Sequence, residues 1–365
     1  MPAEAPHSDH APPSFADSPS ARVVLVADDI TGACDAGAAF LIAGRTVRVW
    51  FGTSVLYSAP ESVQAFNTNS RSLSPRRAAR VVSQAVAALG SDPNSLFFKK
   101  VDSAVRGQVG AEVLAAHHVL STRAILFAPA FPSAGRVVSD GILEIRDNAG
   151  QLNLVGLASL FPLTERHRIG RVASASELVP MLQSGKTILV CDSANQADLD
   201  SLVHVAQGLP GLLYAGSAGL AHALARLNLV RQPTALVPPA ERTLIIAGSP
   251  HPATKLQLES LEHDRFAGVR LLRIGLPIAA EARVRAAFHS HAPQALVLTG
   301  GETAMLAVRA LEAHSFILQG EIAPGIPWGF VQGGVAHGCT VVTKSGGFGA
   351  PTAFNDILAA LQGPA

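Results

Sequence analysis

Cysteine, charge and long apolar runs are all scarce in this 365-residue chain. Its three cysteines, Cys34, Cys191 and Cys339, are far apart and form no CxxC pair, so neither a disulfide framework nor a zinc site is expected, and a reducing cytoplasm is the simplest compartment. Charged residues amount to 15% and the formal net charge is +1, a balance that supports neither a nucleic-acid nor an anionic-membrane partner. Mean hydropathy is +0.30. The apolar residues, 48% of the total, are nevertheless dispersed, and no run is long enough to cross a bilayer, so a soluble protein is expected. The histidines make no HxxxH-like set and are assigned no metal. A GxxxxGK motif ending in Ser or Thr is missing, which excludes a P-loop enzyme. GxGxxG is missing after the first strand of either half, which counts against an NAD-dependent oxidoreductase. Residues 1–20, rich in Pro, Ala and Ser, lack apolar periodicity and the basic start and apolar centre of a signal peptide; they are predicted to be a disordered extension.

From residue 22 onward, short apolar runs alternate with helical patterns, the signature of βαβ units and a mostly parallel sheet. Strands are predicted at 22–27, 46–51, 95–101, 124–129, 187–192 and 211–216, with helices at 32–43, 75–89, 107–118, 175–183, 196–207 and 217–227. A proline-bearing stretch at 229–243 reads as a linker. Strands then resume at 243–248, 269–274, 295–300 and 340–345, interleaved with helices near 252–263, 279–289, 303–313 and 351–361. The expected architecture is α/β with two domains, 21–235 and 236–365, each a mostly parallel sheet flanked by helices, with the active site in the cleft between them. Residues 143–170 mix signals and read as an excursion of the first domain over that cleft.

Polar residues gather at predicted strand ends, where open α/β sheets bind ligands. In "VLVADDITGACDAG", Asp28 and Asp29 follow the first strand; one acid is expected to face the pocket while its neighbour caps the next helix or holds substrate. "FNTNSRSLS" places Asn67, Asn69, Ser70 and Arg71 after a strand, and the forked donors of Arg71 suit a carboxylate. "FFKKVDSAVRG" adds Lys99, Lys100, Asp102, Ser103 and Arg106, and "APAFPSAGRVVSDG" adds Ser133, Gly135, Arg136 and Asp140. Together they describe an electropositive pocket with a few carboxylates, suited to a small polyhydroxylated acid. Plainer roles stand beside these: Arg106 as the partner of Glu112 or another acid, Asp140 as a turn residue, and one of the adjacent Lys99 and Lys100 turned to solvent or an acid.

The second half carries anion-binding signals. "LTGGETA" runs from a strand through Gly300 and Gly301 into a helix with Glu302 and Thr303 in its first turn, and "IAGSPHPAT" repeats the pattern around Ser249. "TKSGGFGAPT" sets Lys344, read as a mobile positive charge, before Gly346 and Gly347. "PGIPWGFVQGG" reads as a loop whose Trp328 and Phe330 offer base-packing surfaces.

The segments "ADDITGACDAG", "NTNSR", "KKVDSAVRG", "PAFPSAGR", "GGETA" and "KSGGFG", in this order, resemble the four-carbon acid sugar kinases over residues 22–361. The resemblance implies a sugar-acid-binding N-terminal domain, a nucleotide-binding C-terminal domain, and ATP-dependent phosphorylation of an acid such as threonate, erythronate or a 2-oxo-tetronate at its terminal hydroxyl. It places sugar-acid contacts on Asp28, Asp29, Arg71, Lys100, Asp102, Ser103 and Arg106, with Asp28 or Asp29 as the base. Nucleotide contacts fall on Ser249, Gly300, Gly301, Glu302, Thr303 and Gly346 or Gly347. Mg²⁺ is expected with the triphosphate. The family's GGDTA is GGETA here, and Pro250 and Pro252, just after Ser249, each lack an amide donor, which keeps a non-catalytic sugar-acid sensor as the alternative. A homodimer is the base-rate expectation.

Overall fold

The computed structural model describes residues 22–52, 61–90, 95–146, 150–230, 235–261, 266–275 and 279–363. The extension read as disordered, residues 1–20, lies outside them, as does part of the predicted linker, 231–234. The first half of the chain runs β1 (Val23–Ala27), α1 (Ile30–Ala38), β2 (Val47–Trp50), β3 (Val63–Asn67), α2 (Pro75–Leu89), β4 (Leu96–Lys100), α3 (Val109–Leu120) and β5 (Ala124–Ala128). Three short strands follow, β6 (Arg136–Ser139), β7 (Ile142–Arg146) and β8 (Leu152–Gly156). Then come β9 (Ile169–Val172), α4 (Leu178–Gln183), β10 (Ile188–Cys191), α5 (Gln196–Ala206), β11 (Leu212–Gly216) and α6 (Ala218–Arg226). The second half runs β12 (Thr243–Ala247), α7 (Pro252–Glu259), β13 (Val269–Arg273), α8 (Ala280–His291), β14 (Ala295–Thr299), α9 (Gly301–Ala310), β15 (Ser315–Ala323), β16 (Ile326–Gln332), β17 (Thr340–Lys344) and α10 (Ala353–Gln362).

Two mostly parallel sheets are joined into one of 14 strands, in the order β13-β12-β14-β17-β16-β15-β2-β3-β1-β4-β11-β5-β10-β9. The join is antiparallel, Ser315–Leu318 of β15 against Val47–Trp50 of β2. Each of those strands would otherwise present a row of unpaired amides and carbonyls, and pairing them removes two open edges. The central strands are apolar along their whole length, as a sheet covered on both faces requires: β1, β3, β5, β12, β14 and β17 are buried throughout. Helix α1 is also buried at all nine positions. Its small residues, among them Gly32, Ala33, Ala36 and Gly37, let it pass between the halves and pack on α6, β3, α9 and β15.

In each half the chain departs to both sides of its first strand. After β1 the chain adds β2 and β3 on one side and β4 on the other; after β12 it adds β13 on one side and β14 on the other. The C-terminal ends at these points of departure, Ala27 beside Lys100 and Ala247 beside Thr299, open the two crevices in which open α/β sheets hold ligands. The region 143–170 supplies β7, β8 and the start of β9, and β6-β7-β8 form a separate antiparallel sheet. No helix among the described residues is long and apolar enough to cross a membrane.

Candidate active site

Asp29 sits where the chain turns from β1 into α1. As the N-cap it accepts a hydrogen bond from the Gly32 amide (2.7 Å) and another from the Thr31 hydroxyl (3.0 Å). The capping role and the pocket role thus fall on one residue, since Asp29 also lines the cleft. Its neighbour Asp28 lies behind it, receiving the Nε (2.6 Å) and one terminal nitrogen (3.1 Å) of Arg71. The other terminal nitrogen of that guanidinium donates to Asp29 (2.7 Å), and Asp102 stands 3.5 Å away. Burial alone would lower the pKa of Arg71, but Asp29, Asp28 and Asp102 together raise it well above its ordinary value. Arg71 is therefore committed to the protein's own carboxylates.

The end of β4 contributes the opposite wall. Lys99 and Lys100 point to opposite sides: Lys99 makes a fully buried ion pair with Glu112 (2.8 Å), while Lys100 donates to the Val101 carbonyl (2.7 Å) and lines the cleft. Asp102 accepts two bonds from the Arg106 fork (2.7 and 2.8 Å). Despite burial, Arg106, Arg71 and Lys100 hold its carboxyl well below the usual range. Arg106 is thus paired with Asp102 rather than Glu112. Asp29, Arg71, Lys100, Asp102, Ser103 and Arg106 together line a cavity of about 250 Å³, which Ile145 of β7 and Asn153 of β8 cover. The excursion over the cleft is the β6-β7-β8 sheet.

A second cavity of about 230 Å³ adjoins it, lined by Ser249, Gly300, Gly301, Glu302, Thr303, Gly346 and Gly347. The two share Asp29, Arg71, Arg106, His251, Ser345 and Gly347, so they are halves of one cleft. Gly300 precedes α9 with φ +91°, a conformation that side chains resist. A Cβ on Gly301 would run into the Asp29 carboxylate, and one on Gly346 would run into the Ser249 hydroxyl. The glycines therefore allow a helix N-terminus, with its free amides, to approach the acid and allow the loop to close on Ser249. Pro252 occupies the first turn of α7, where a missing amide costs nothing, and His251 caps that helix by accepting from the Ala253 amide (3.1 Å).

Two readings from sequence are corrected by burial. Lys344 is not a mobile charge: it is fully buried and donates beneath the glycine loop to the carbonyls of Ser345 (3.1 Å) and Phe348 (3.2 Å). Burial pushes its pKa down to about 7. The segment with Trp328 and Phe330 is strand β16, not a loop, and Trp328 is 2% exposed in the core, unable to stack on a base. Asp140 is a turn residue with φ +53° between β6 and β7, and Ser133 lines a neighbouring cavity of about 530 Å³.

Other residues of the cleft carried little signal. His251 and Ser345 reach it from the second half, the Ser345 hydroxyl donating to Thr31 (3.1 Å) across the junction. Asp35, one turn along α1 from Gly32, looks like an ordinary helical residue; it is buried, and its Oδ1 has no hydrogen-bond partner. Burial, opposed by Lys100 and reinforced by Glu321 and Asp29, pushes its pKa up to about 7. No group of three or more His, Cys, Asp or Glu among the described residues forms a metal cage.

Comparison with known proteins bears on both halves. A family described as the sugar-binding N-terminal domain matches residues 23–167, and one described as the nucleotide-binding C-terminal domain matches residues 278–354. The chain is 29% identical to a D-threonate kinase of Bordetella bronchiseptica, over 89% of this chain and 94% of that one. It is 28% identical to a D-erythronate kinase of Heliobacterium modesticaldum, over 66% of this chain and 60% of that one. A 3-oxo-tetronate kinase of Brucella melitensis is 23% identical over 91% and 94%. Among solved structures, a Haemophilus influenzae protein shares the fold with a TM-score of 0.64 at 20% identity, covering 91% of this chain and 98% of that one.

Proposed function

The chain belongs to the four-carbon acid sugar kinases, and from that premise we propose that it transfers the γ-phosphoryl group of ATP to the terminal hydroxyl of threonate, erythronate or an oxo-tetronate. The observation that carries this reading is Asp29, a single carboxylate shared by the two cavities and set against the N-terminus of α9. An acid in the cavity of the first half brings its hydroxyl to that carboxylate. A triphosphate in the cavity of the second half lays its terminal phosphate along the α9 amides, between Ser249 and the loop at Gly346 and Gly347. Phosphoryl transfer asks little covalent work of the protein, so alignment and charge neutralisation carry the rate.

Asp29 takes the proton from the attacking hydroxyl. Asp28, which lines neither cavity, holds Arg71 in place, and Arg71 in turn fixes Asp29. Lys344 acts from below by tying the glycine loop down. Mg²⁺ would neutralise charge on the triphosphate; Asp29 and Glu302 are the carboxylates facing that half, a donor set that fits an ion bound mostly by phosphate and water. Pro252 is accommodated at a helix start, and the relatives named as kinases support the kinase over the non-catalytic sensor.

The test is ADP release by the purified protein with Mg²⁺-ATP against D-threonate, L-threonate, D-erythronate, 2-oxo-tetronate and 3-oxo-tetronate. Release with one acid and not with ATP alone is expected. No release with any of them, at acid concentrations up to millimolar, overturns the reading.

A further inference from the structure

Four cationic side chains line the substrate cavity, and two are already held by carboxylates. Arg71 is shared among Asp28, Asp29 and Asp102, and Arg106 lies on Asp102; Lys100 makes no ion pair among the described residues, but it is a point charge without a fork and donates to the Val101 carbonyl. Arg136, the first residue of β6, differs. It makes no ion pair among the described residues; one terminal nitrogen donates to the Ala134 carbonyl, and its Nε is buried without a partner. Its guanidinium lies over the Phe348 ring, 5.2 Å from the centroid, which fixes the plane of the fork. Burial lowers the pKa of this arginine, the opposite direction from Arg71, as expected for a buried cation short of negative charge.

Position supports the same point. Arg136 and Phe348 belong to the substrate cavity and to the larger outer cavity beside it, but neither lines the nucleotide half. Asp29 belongs to the substrate cavity and the nucleotide half. Arg136 thus borders the outer side of the substrate cavity and Asp29 its nucleotide side. Building on the kinase reading, we infer that Arg136 is the anchor for the substrate's carboxylate, so that the sugar acid lies with its acid end on Arg136 and its terminal hydroxyl on Asp29. The unpartnered Oδ1 of Asp35 on the same wall receives a hydroxyl between them. A neutral polyol lacks the acid end and would leave Arg136 without a partner.

The experiment compares wild type, Arg136→Met and Arg136→Lys on the acid that the panel identifies and on the primary amide of that acid, which has the same shape without the charge. Arg136→Met is expected to raise the KM for the acid about 10–100-fold, the range for losing hydrogen bonds to a charged group, and to leave the KM for ATP within about threefold. The preference for acid over amide should fall towards one. Arg136→Lys, which keeps charge but not the fork, should fall between the two. An Arg136→Met enzyme that keeps the wild-type preference overturns the anchor while leaving the kinase intact. If Arg136→Met does not bind ATP, Arg136→Lys decides: a raised KM for the acid with an unchanged KM for ATP supports the anchor, and a wild-type KM for the acid overturns it. Wild-type protein inactive on every acid overturns the kinase reading and this inference together.

Discussion

Asp29 and Asp28 are neighbours in sequence with different surroundings, and their substitution should separate them. Asp29→Asn is expected to lower kcat by about 10²–10⁴, the usual contribution of a positioned base, with the KM for ATP nearly unchanged. Asp28→Asn keeps an acceptor for Arg71 and should lower kcat less; equal losses in steady-state kinetics would mean that the pair acts as one unit. Asp35 makes a different kind of prediction. Burial pushes its carboxyl up to about 7 in the folded chain against an ordinary 3.8, so between those values the folded state keeps a proton that the unfolded state has released. Its contribution to stability is therefore greatest below the lower value and is lost as pH rises through the window. Asp35→Asn removes that dependence. Thermal melts should show the variant gaining on wild type more at pH 8 than at pH 5, and a pH-independent difference would refute the assignment. The sequence revealed Asp29 because a strand end followed by an acid and small residues is a local pattern. Asp35 was hidden because its burial depends on α1 being covered from both halves.

At the scale of elements, the approach of α9 to Asp29 depends on a missing side chain. Gly301→Ala should lower kcat by about 10²-fold, the cost of a misplacement of about an ångström, because a methyl there lies 3.1 Å from the Asp29 Cγ and closer still to its carboxylate oxygen. The helix itself should persist, since alanine is the better helix former. Far-UV circular dichroism and kinetics together check this; full activity would mean that α9 and Asp29 do not meet as described. Most elements were legible. Helix α2 runs over 75–89 as its periodicity predicts, and the short apolar runs became β1, β5, β12 and β14. The β15-β16 hairpin was not, because prolines and glycines around Trp328 imitate a loop while their neighbours pair across the sheet. The β6-β7-β8 sheet was missed for a related reason: β8 is mostly exposed and carries little apolar alternation.

At the scale of the molecule, the shared sheet makes the halves interdependent. Phe316, on the joining strand β15, is 1% exposed and meets Phe51 edge-on at 4.5 Å between ring centroids. Phe316→Ala should cost about 3–5 kcal/mol. The loss should appear as a lower melting temperature of a single calorimetric transition, because one continuous apolar core includes Val23, Phe98, Leu298 and Val341 from both halves. Two transitions, only one of them shifted, would show that the halves unfold separately.

The sequence by itself determined the α/β alternation, the placing of acids, cations and glycines at strand ends, and the family. These are local matters, set by side-chain periodicity and by turns of a few residues. Tertiary structure alone decided that two sheets become one, that Lys344 is a buried tie, that Arg71 is spent on three carboxylates, and that Arg136 keeps donors to spare. Each of these depends on which distant group reaches a side chain first, and burial and charge pairing are properties of that meeting rather than of either residue.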